Sequence, residues 1–158
     1  MAGYQPYPMK YIVCVLLMVV SGALAQPTDT IYRSTDVDIK PNLKDGMYKL
    51  TEFVSNNFAF PSSVKNKKVR IFTSFVVEPD GRMTDVKSFY ISVKEYLPVE
   101  VVSIQTEEEK AAEQKVYDSM RDEAARVLKL FTETWTPAMV DGKPVRCLYN
   151  YPISFNIE

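Results

Sequence analysis

The 158-residue chain has few of the side chains on which enzyme catalysis usually depends. It contains no histidine, which excludes His-based triads, histidine metal ligands and the usual proton shuttle near neutral pH. Carboxylates, lysines, tyrosines and cysteines remain, but they form no recognisable catalytic cluster along the sequence. The formal net charge of −1 also lacks the basic surplus of a general nucleic-acid binder. The sequence therefore predicts neither an enzyme nor a protein that binds nucleic acid.

Three groups of residues are still candidates for chemical sites. Cys147 stands at an apolar position of an alternating stretch, which favours a buried, inert thiol over a nucleophile. The run Glu107–Glu109 is typical of a solvated first helical turn, where carboxylates interact favourably with the helix dipole. Trp135, Tyr149 and Tyr151 could form a ligand platform, although packing in a core is the commoner role of such aromatics. We expect no cofactor and no metal ion.

The last stretch of the chain offers backbone groups instead of reactive side chains. Residues 145–157 alternate so that one face of an extended strand should pack on a core, and Asp141-Gly142 just upstream favours a turn. Pro152 has no N–H for a β-ladder, which predicts that this strand lies at the edge of a sheet. Unpaired backbone groups along an edge can bind another extended segment. The predicted partner-binding residues are Val145, Arg146, Cys147, Leu148, Tyr149, Asn150, Tyr151 and Ile153.

The first 25 residues are typical of a secretory signal peptide. Lys10 precedes a short apolar run, and Ala23-Leu24-Ala25 has the small residues of a cleavage site. The apolar segment from 11 to 25 is shorter than the roughly 20 residues needed to span a bilayer, which favours cleavage over a retained anchor. Met9 is an alternative start. After cleavage the chain would keep only Cys147, and no membrane span or internal disulfide is expected.

Residues 26–40 are polar and irregular, and we expect them to form a short tether. Apolar residues at helical spacing then predict a first helix near 44–57. Alternation predicts strands over 69–78 and 83–92, joined into a β-hairpin by the tight turn Pro79-Asp80-Gly81-Arg82.

A second helix is predicted after Thr106 and Glu109, which have the spacing of a capping box. Its apolar stripe continues to Trp135, and we expect the part up to about Tyr117 to overhang or break because the whole helix would be long for so small a domain. The elements predict an α+β domain over 41–158, with two helices packed on one face of a three-stranded antiparallel sheet.

Four segments, in this order and spacing, resemble the TonB C-terminal domain. They are F-V-V-E-P-D-G-R-M-T-D-V-K (75–87), E-A-A-R-V-L-K (123–129), W-T-P-A-M-V-D-G-K-P-V-R (135–146) and the terminal Y-P-I-S-F-N-I. The helix that runs from Leu50 towards Phe60-Pro61 is similar to the first helix of that family. The resemblance covers about residues 40–158, and relative to this family residues 93–117 look like an insertion between the second strand and the second helix.

The resemblance implies a contact mode as well as a fold. TonB domains lie in the periplasm and recruit a short segment of an outer-membrane receptor by adding it to their sheet as a strand, a mode in which backbone groups provide affinity. The resemblance also implies that residues 145–157 form the edge strand that pairs with the receptor segment. Because no Pro-rich spacer and no convincing anchor helix precede the domain, we expect a stand-alone secreted member.

Two functions follow as alternatives. The first is a periplasmic, non-enzymatic module that binds a segment of an outer-membrane receptor or other envelope protein by β-strand addition, linked to TonB-dependent transmembrane transport. A homodimer through the last strand is a variant of this contact. The second is a structural or cell-envelope-binding domain that keeps the fold but contacts the cell wall or a protein partner without a role in transport.

Overall fold

The structure, a computed structural model, describes residues 30–95 and 105–158. The predicted signal peptide, the first residues of the predicted tether and the middle of the predicted insertion lie outside these ranges. Within them the chain forms seven strands and two helices, in this order: β1 (Ile31–Arg33), β2 (Asn42–Leu43), α1 (Tyr48–Asn57), β3 (Lys67–Val77), β4 (Met83–Glu95), α2 (Glu107–Lys129), β5 (Trp135–Thr136), β6 (Ala138–Val140) and β7 (Lys143–Ile157).

Five of the strands form one mixed sheet. Its order is β1-β7-β3-β4, and β6 pairs with the beginning of β7. The pairs β3–β4, β3–β7 and β6–β7 are antiparallel, whereas β1 runs parallel to β7. Strands β2 and β5 form a separate antiparallel pair. The β3–β4 hairpin confirms the one predicted from the sequence, and its turn is closed by hydrogen bonds between Glu78 and Arg82 and between Gly81 and Glu78.

The predicted fold class is wrong. The sheet is not a three-stranded antiparallel sheet with the helices packed on one face, because it has five strands, includes a parallel pair and curls into a half-barrel. Two of the extra strands, β1 and β6, have three residues each, which is too short to give a periodic signal. Register shifts in the β3–β4 ladder, between Phe72 and Thr73 and between Ser74 and Val76, contribute to the curl because bulges increase local twist.

The first residue of each helix is set by hydrogen bonds just before it, in a turn before α1 and in a capping box before α2. Gly46 has a φ of +90° and its N–H donates to the carbonyl oxygen of Leu43, so α1 begins after this turn and not at residue 44. Thr106 and Glu109 form the predicted capping box at the start of α2. The first part of α2, up to about Tyr117, was expected to overhang or break; the helix is unbroken from Glu107 to Lys129. The Lys67 ammonium of β3 lies 2.6 Å from the Glu113 carboxylate and 3.0 Å from the Tyr117 hydroxyl, and these contacts hold the first half of α2 against the sheet.

The core lies between the helices and alternate residues of β3 and β7. The predicted helix faces are confirmed, since Leu50 and Val54 of α1 and Met120, Ala124, Val127 and Leu128 of α2 are buried. Val69, Ile71 and Phe75 of β3 complete this cluster, and Ile153 joins it from β7. Burying a large apolar side chain stabilises the fold by about 1.5–3 kcal/mol, so this cluster fixes which face of β7 points inward.

Candidate binding edge on the last strand

One side of β7 pairs with β3 along residues 147–157. The two strands pair from Val77 opposite Cys147 to Lys67 opposite Ile157, without a register shift. Strand β6 pairs with Lys143–Val145, the part of β7 that precedes the stretch paired with β3. On the side away from β3, β1 pairs with Arg146–Leu148. Residues 143–148, which these two short strands pair with, are here the covered half. Residues 149–157, here the open half, pair with no second strand among residues 30–95 and 105–158.

The backbone of the open half alternates between the two sides of the strand. The carbonyl oxygen of Tyr151 accepts a hydrogen bond from the Thr73 hydroxyl and therefore faces β3. Because N–H and C=O groups of successive strand residues point to opposite sides, those of Asn150, Ser154 and Asn156 face away from β3. Pro152 shares this orientation, so its missing N–H leaves the β3–β7 ladder intact. The open half thus presents three N–H donors and four C=O acceptors along its outer side.

The covered half is fastened to the end of β3 by an ion pair. Arg146 contacts the Glu78 carboxylate twice, with Nε 2.9 Å from Oε2 and Nη2 3.0 Å from Oε1. These hydrogen bonds lower the pKa of Glu78, against the opposing effect of its partial burial. Cys147 is completely buried, as the sequence predicted, and burial raises the pKa of its thiol.

Aromatic side chains cover the inner face of β7 at the open half. Tyr149 stacks on Phe75, with ring centroids 5.5 Å apart and planes inclined by 20°. Its ring also lies 5.3 Å from that of Trp135, so the suggested aromatic platform is a packed core cluster. Burial raises the pKa of Tyr149 and of Tyr151, and both phenols are therefore neutral at physiological pH. The Tyr151 hydroxyl is 3.0 Å from the Thr51 hydroxyl of α1.

Phe155 belongs to a second aromatic group that reaches the surface. Its ring lies 4.6 Å from Phe58 and 4.7 Å from Phe60, both of which follow α1. Phe58 is buried, but Phe60 is 42% exposed. An extended segment paired with the open half would therefore have an apolar surface beside it on the inner face of the sheet, the face that the helices cover.

The outer face of the sheet beside the open half is cationic. Arg70 of β3 reaches across to β7, where its Nε donates to the Ser154 hydroxyl over 3.2 Å. Lys68 is opposite Asn156 on β7 and opposite Lys94 on β4. In the described part of the chain no carboxylate lies within 4.0 Å of these three cations, and all three are exposed. Phe72 and Tyr90 extend the same face, with ring centroids 5.6 Å apart.

The predicted binding residues are distributed over both halves of β7. Val145, Arg146, Cys147 and Leu148 lie in the covered half, where β6 and β1 pair with them. Tyr149, Tyr151 and Ile153 lie in the open half, but their backbone groups face β3 and their side chains point inward. Of the predicted set, Asn150 alone turns its backbone outward at the open edge. Ser154 and Asn156 do the same and were missed, although their alternation with Ile153 and Phe155 would have identified them.

No group of three or more His, Cys, Asp or Glu residues in ranges 30–95 and 105–158 could hold a metal ion. The cluster of Lys67, Glu113 and Tyr117 joins α2 to β3, and the carboxylate and phenol partners raise the pKa of Lys67 in spite of its partial burial. Within the same ranges, none of the helices has the length and apolar character needed to cross a membrane.

No protein-family model matches the chain, and no curated protein is significantly similar to it.

Proposed function

We propose that this protein is a non-enzymatic interaction module that binds an extended protein segment by adding it as a strand to the open half of β7. The observation that carries the proposal is the outward row of backbone groups at Asn150, Pro152, Ser154 and Asn156, which no strand of the described chain pairs with. An exposed row of this kind is a template for pairing with another chain.

Strand β1 supports the proposal because it already uses the same edge. Its three residues pair in parallel with Arg146–Leu148 and lie directly before the open half. The chain then leaves the edge in a turn, in which the Asp36 N–H donates to the Arg33 carbonyl oxygen over 2.9 Å. A partner segment would continue the line of β1 along residues 149–157. The open half is therefore available for pairing, and it belongs to a strand that β1 and β3 already hold in place.

The length of the open half suits a short linear segment. Residues 149–157 span about 30 Å at roughly 3.3 Å per residue. Each backbone hydrogen bond contributes about 0.5–1.5 kcal/mol net, so the available donors and acceptors are enough for a reversible contact. The inward side chains of the partner would lie near Phe60 and Phe155 and would provide selectivity.

The biological setting follows from the resemblance to TonB C-terminal domains. We propose that the protein is secreted to the periplasm, and that its partner is a segment of an outer-membrane receptor or another envelope protein in TonB-dependent transport. The open half of a second copy is a competing occupant of the same edge. A concentration series by analytical ultracentrifugation separates these occupants, because self-pairing requires a dimer whose formation is lost in Asn150→Pro.

The proposal is tested by selecting displayed random peptides of about ten residues, the length that spans the open half. Selected peptides should shift the NMR signals of residues 149–157, and Asn150→Pro should weaken their binding at least about tenfold because an outward N–H is lost. Asn150→Ser is the matched control and should bind normally. Signal shifts confined to the helices, or selected peptides that bind Asn150→Pro equally well, would contradict strand addition and favour the envelope-binding alternative.

A further inference from the structure

The two faces beside the open half differ in chemistry. An added strand would have alternate side chains on each face, since successive residues of a strand point to opposite sides. On the inner face it would meet the partly exposed ring of Phe60 and the ring of Phe155. On the outer face it would meet Ser154, with the Arg70 guanidinium lying over it.

On β3 and β4, the charged side chains of the outer face near this position are all cations. Outward side chains of the open half are neutral, namely Asn150, Pro152, Ser154 and Asn156. Behind them on β3 and β4 stand Arg70, Lys68 and Lys94, which have no carboxylate within 4.0 Å among residues 30–95 and 105–158. Like charges in neighbouring positions repel one another, and an anion placed beside them relieves this repulsion.

Arg70 is the cation best placed to contact an added strand. It belongs to β3, and its side chain already crosses β7 to reach Ser154 at 3.2 Å. Adjacent strands lie about 4.8 Å apart, so a carboxylate on the next strand falls within reach of a guanidinium that lies over β7. The planar guanidinium can form two hydrogen bonds with one carboxylate. Lys68, opposite Asn156, is placed to contact a second acidic residue two positions further along the partner.

We propose that the partner of this edge is an extended segment in which apolar and acidic side chains alternate, with the acidic side chains on the face of Arg70 and Lys68. The inference rests on the proposed strand addition and specifies its ligand. It assigns to Arg70 the role of selecting acidic over neutral and basic segments. The backbone groups of Asn150, Ser154 and Asn156 provide the pairing that all extended segments share.

The test uses the purified protein and three end-blocked peptides of about ten residues. They alternate valine with glutamate, valine with glutamine and valine with lysine. The expected affinity order is glutamate, glutamine, lysine, with about a tenfold difference between the first two, because a few exposed ion pairs contribute together. Arg70→Gln should reduce this preference to about twofold, and Arg70→Glu should reverse the order of the glutamate and lysine peptides.

The matched control is Lys129→Gln, which removes the same charge at an exposed position on α2 and should leave the preference unchanged. Equal affinity for the glutamate and glutamine peptides, or equal effects of Arg70→Gln and Lys129→Gln, would overturn the acidic-partner inference. Strand addition would still stand in that case if Asn150→Pro weakened all three peptides. If Asn150→Pro left the binding of the glutamate peptide intact, the proposed strand addition would fail instead.

Discussion

The covered and open halves of β7 belong to one strand and one edge, yet they differ in what is free to bind. In the covered half, β1 and β6 use the backbone groups, and Arg146 is fastened to Glu78. In the open half the inner face is equally well packed, since Ile153 is only 4% exposed, but the outer backbone groups have no strand partner within the described chain. The comparison shows that packing of a strand's face and pairing of its edge are separate properties.

The largest effect is expected at the aromatic cluster where the two halves meet. Gly81 has a φ of +82°, and a Cβ there would lie 2.2 Å from the carbonyl oxygen of Trp135. Gly81→Ala should destabilise the protein by about 3 kcal/mol or more, because the strained backbone adds to an overlap that displaces Trp135. Thermal and urea unfolding would measure the loss.

Gly142→Ala is the matched control for this prediction. It also has a positive φ, +71°, but an added Cβ would have no atom within 4 Å. Its cost should be limited to the backbone strain of about 1–2 kcal/mol. Equal losses at the two glycines would contradict the close packing of the β3–β4 turn against Trp135.

Proline substitutions at residues of β7 whose N–H groups point away from β3 test whether the covered half is paired and the open half is not. The backbone of Leu148 faces β1, so Leu148→Pro should cost about 1–3 kcal/mol of stability through the lost hydrogen bond. The backbone of Asn150 faces outward beyond β1, so Asn150→Pro should change stability by less than about 1 kcal/mol. Urea unfolding distinguishes the two. A large loss of stability in Asn150→Pro would show that the open half is paired in the free protein.

A smaller effect is expected at the ion pair of the covered half. Since Arg146 lowers the pKa of Glu78, the pair stabilises the fold above about pH 4.5 and loses this contribution as the pH falls through the lowered pKa. Glu78→Gln should cost about 1–2 kcal/mol at pH 7 and should flatten the pH dependence of unfolding at acidic pH. Stability curves of the two proteins that run parallel from pH 7 to about pH 3 would contradict this role.

The sequence predicted the parts of the fold that depend on local patterns. The capping box of Thr106 and Glu109, the turn at Gly81 and the alternation that buries Cys147 and Ile153 all depend on residues close together in the chain. The architecture of the sheet was not predictable in this way. Strand β1 has only three residues, which is too few to show a periodic pattern in the sequence. Its partner, Arg146–Leu148, lies at the other end of the chain.

The same short strand explains the difference between the predicted and the structural edge. Pro152 indicated an edge strand, and its backbone does lie on the side that β3 leaves free. Because β1 occupies the beginning of that side, the available part is residues 149–157 and not the stretch that starts at Val145. Sequence alternation located the strand and its faces, whereas long-range pairing decided which backbone groups remain free.

Residue-resolved amide hydrogen exchange along β7, measured with and without a selected peptide, tests the central claim most directly. In the free protein, the amides of Tyr151, Ile153 and Phe155 should exchange slowly because they face β3, and those of Asn150 and Ser154 should exchange fast. Saturating peptide should slow Asn150 and Ser154 and leave the rate at Leu148 unchanged. Slow exchange at Asn150 and Ser154 before peptide is added, or fast exchange at both after saturation, would contradict strand addition at the open half.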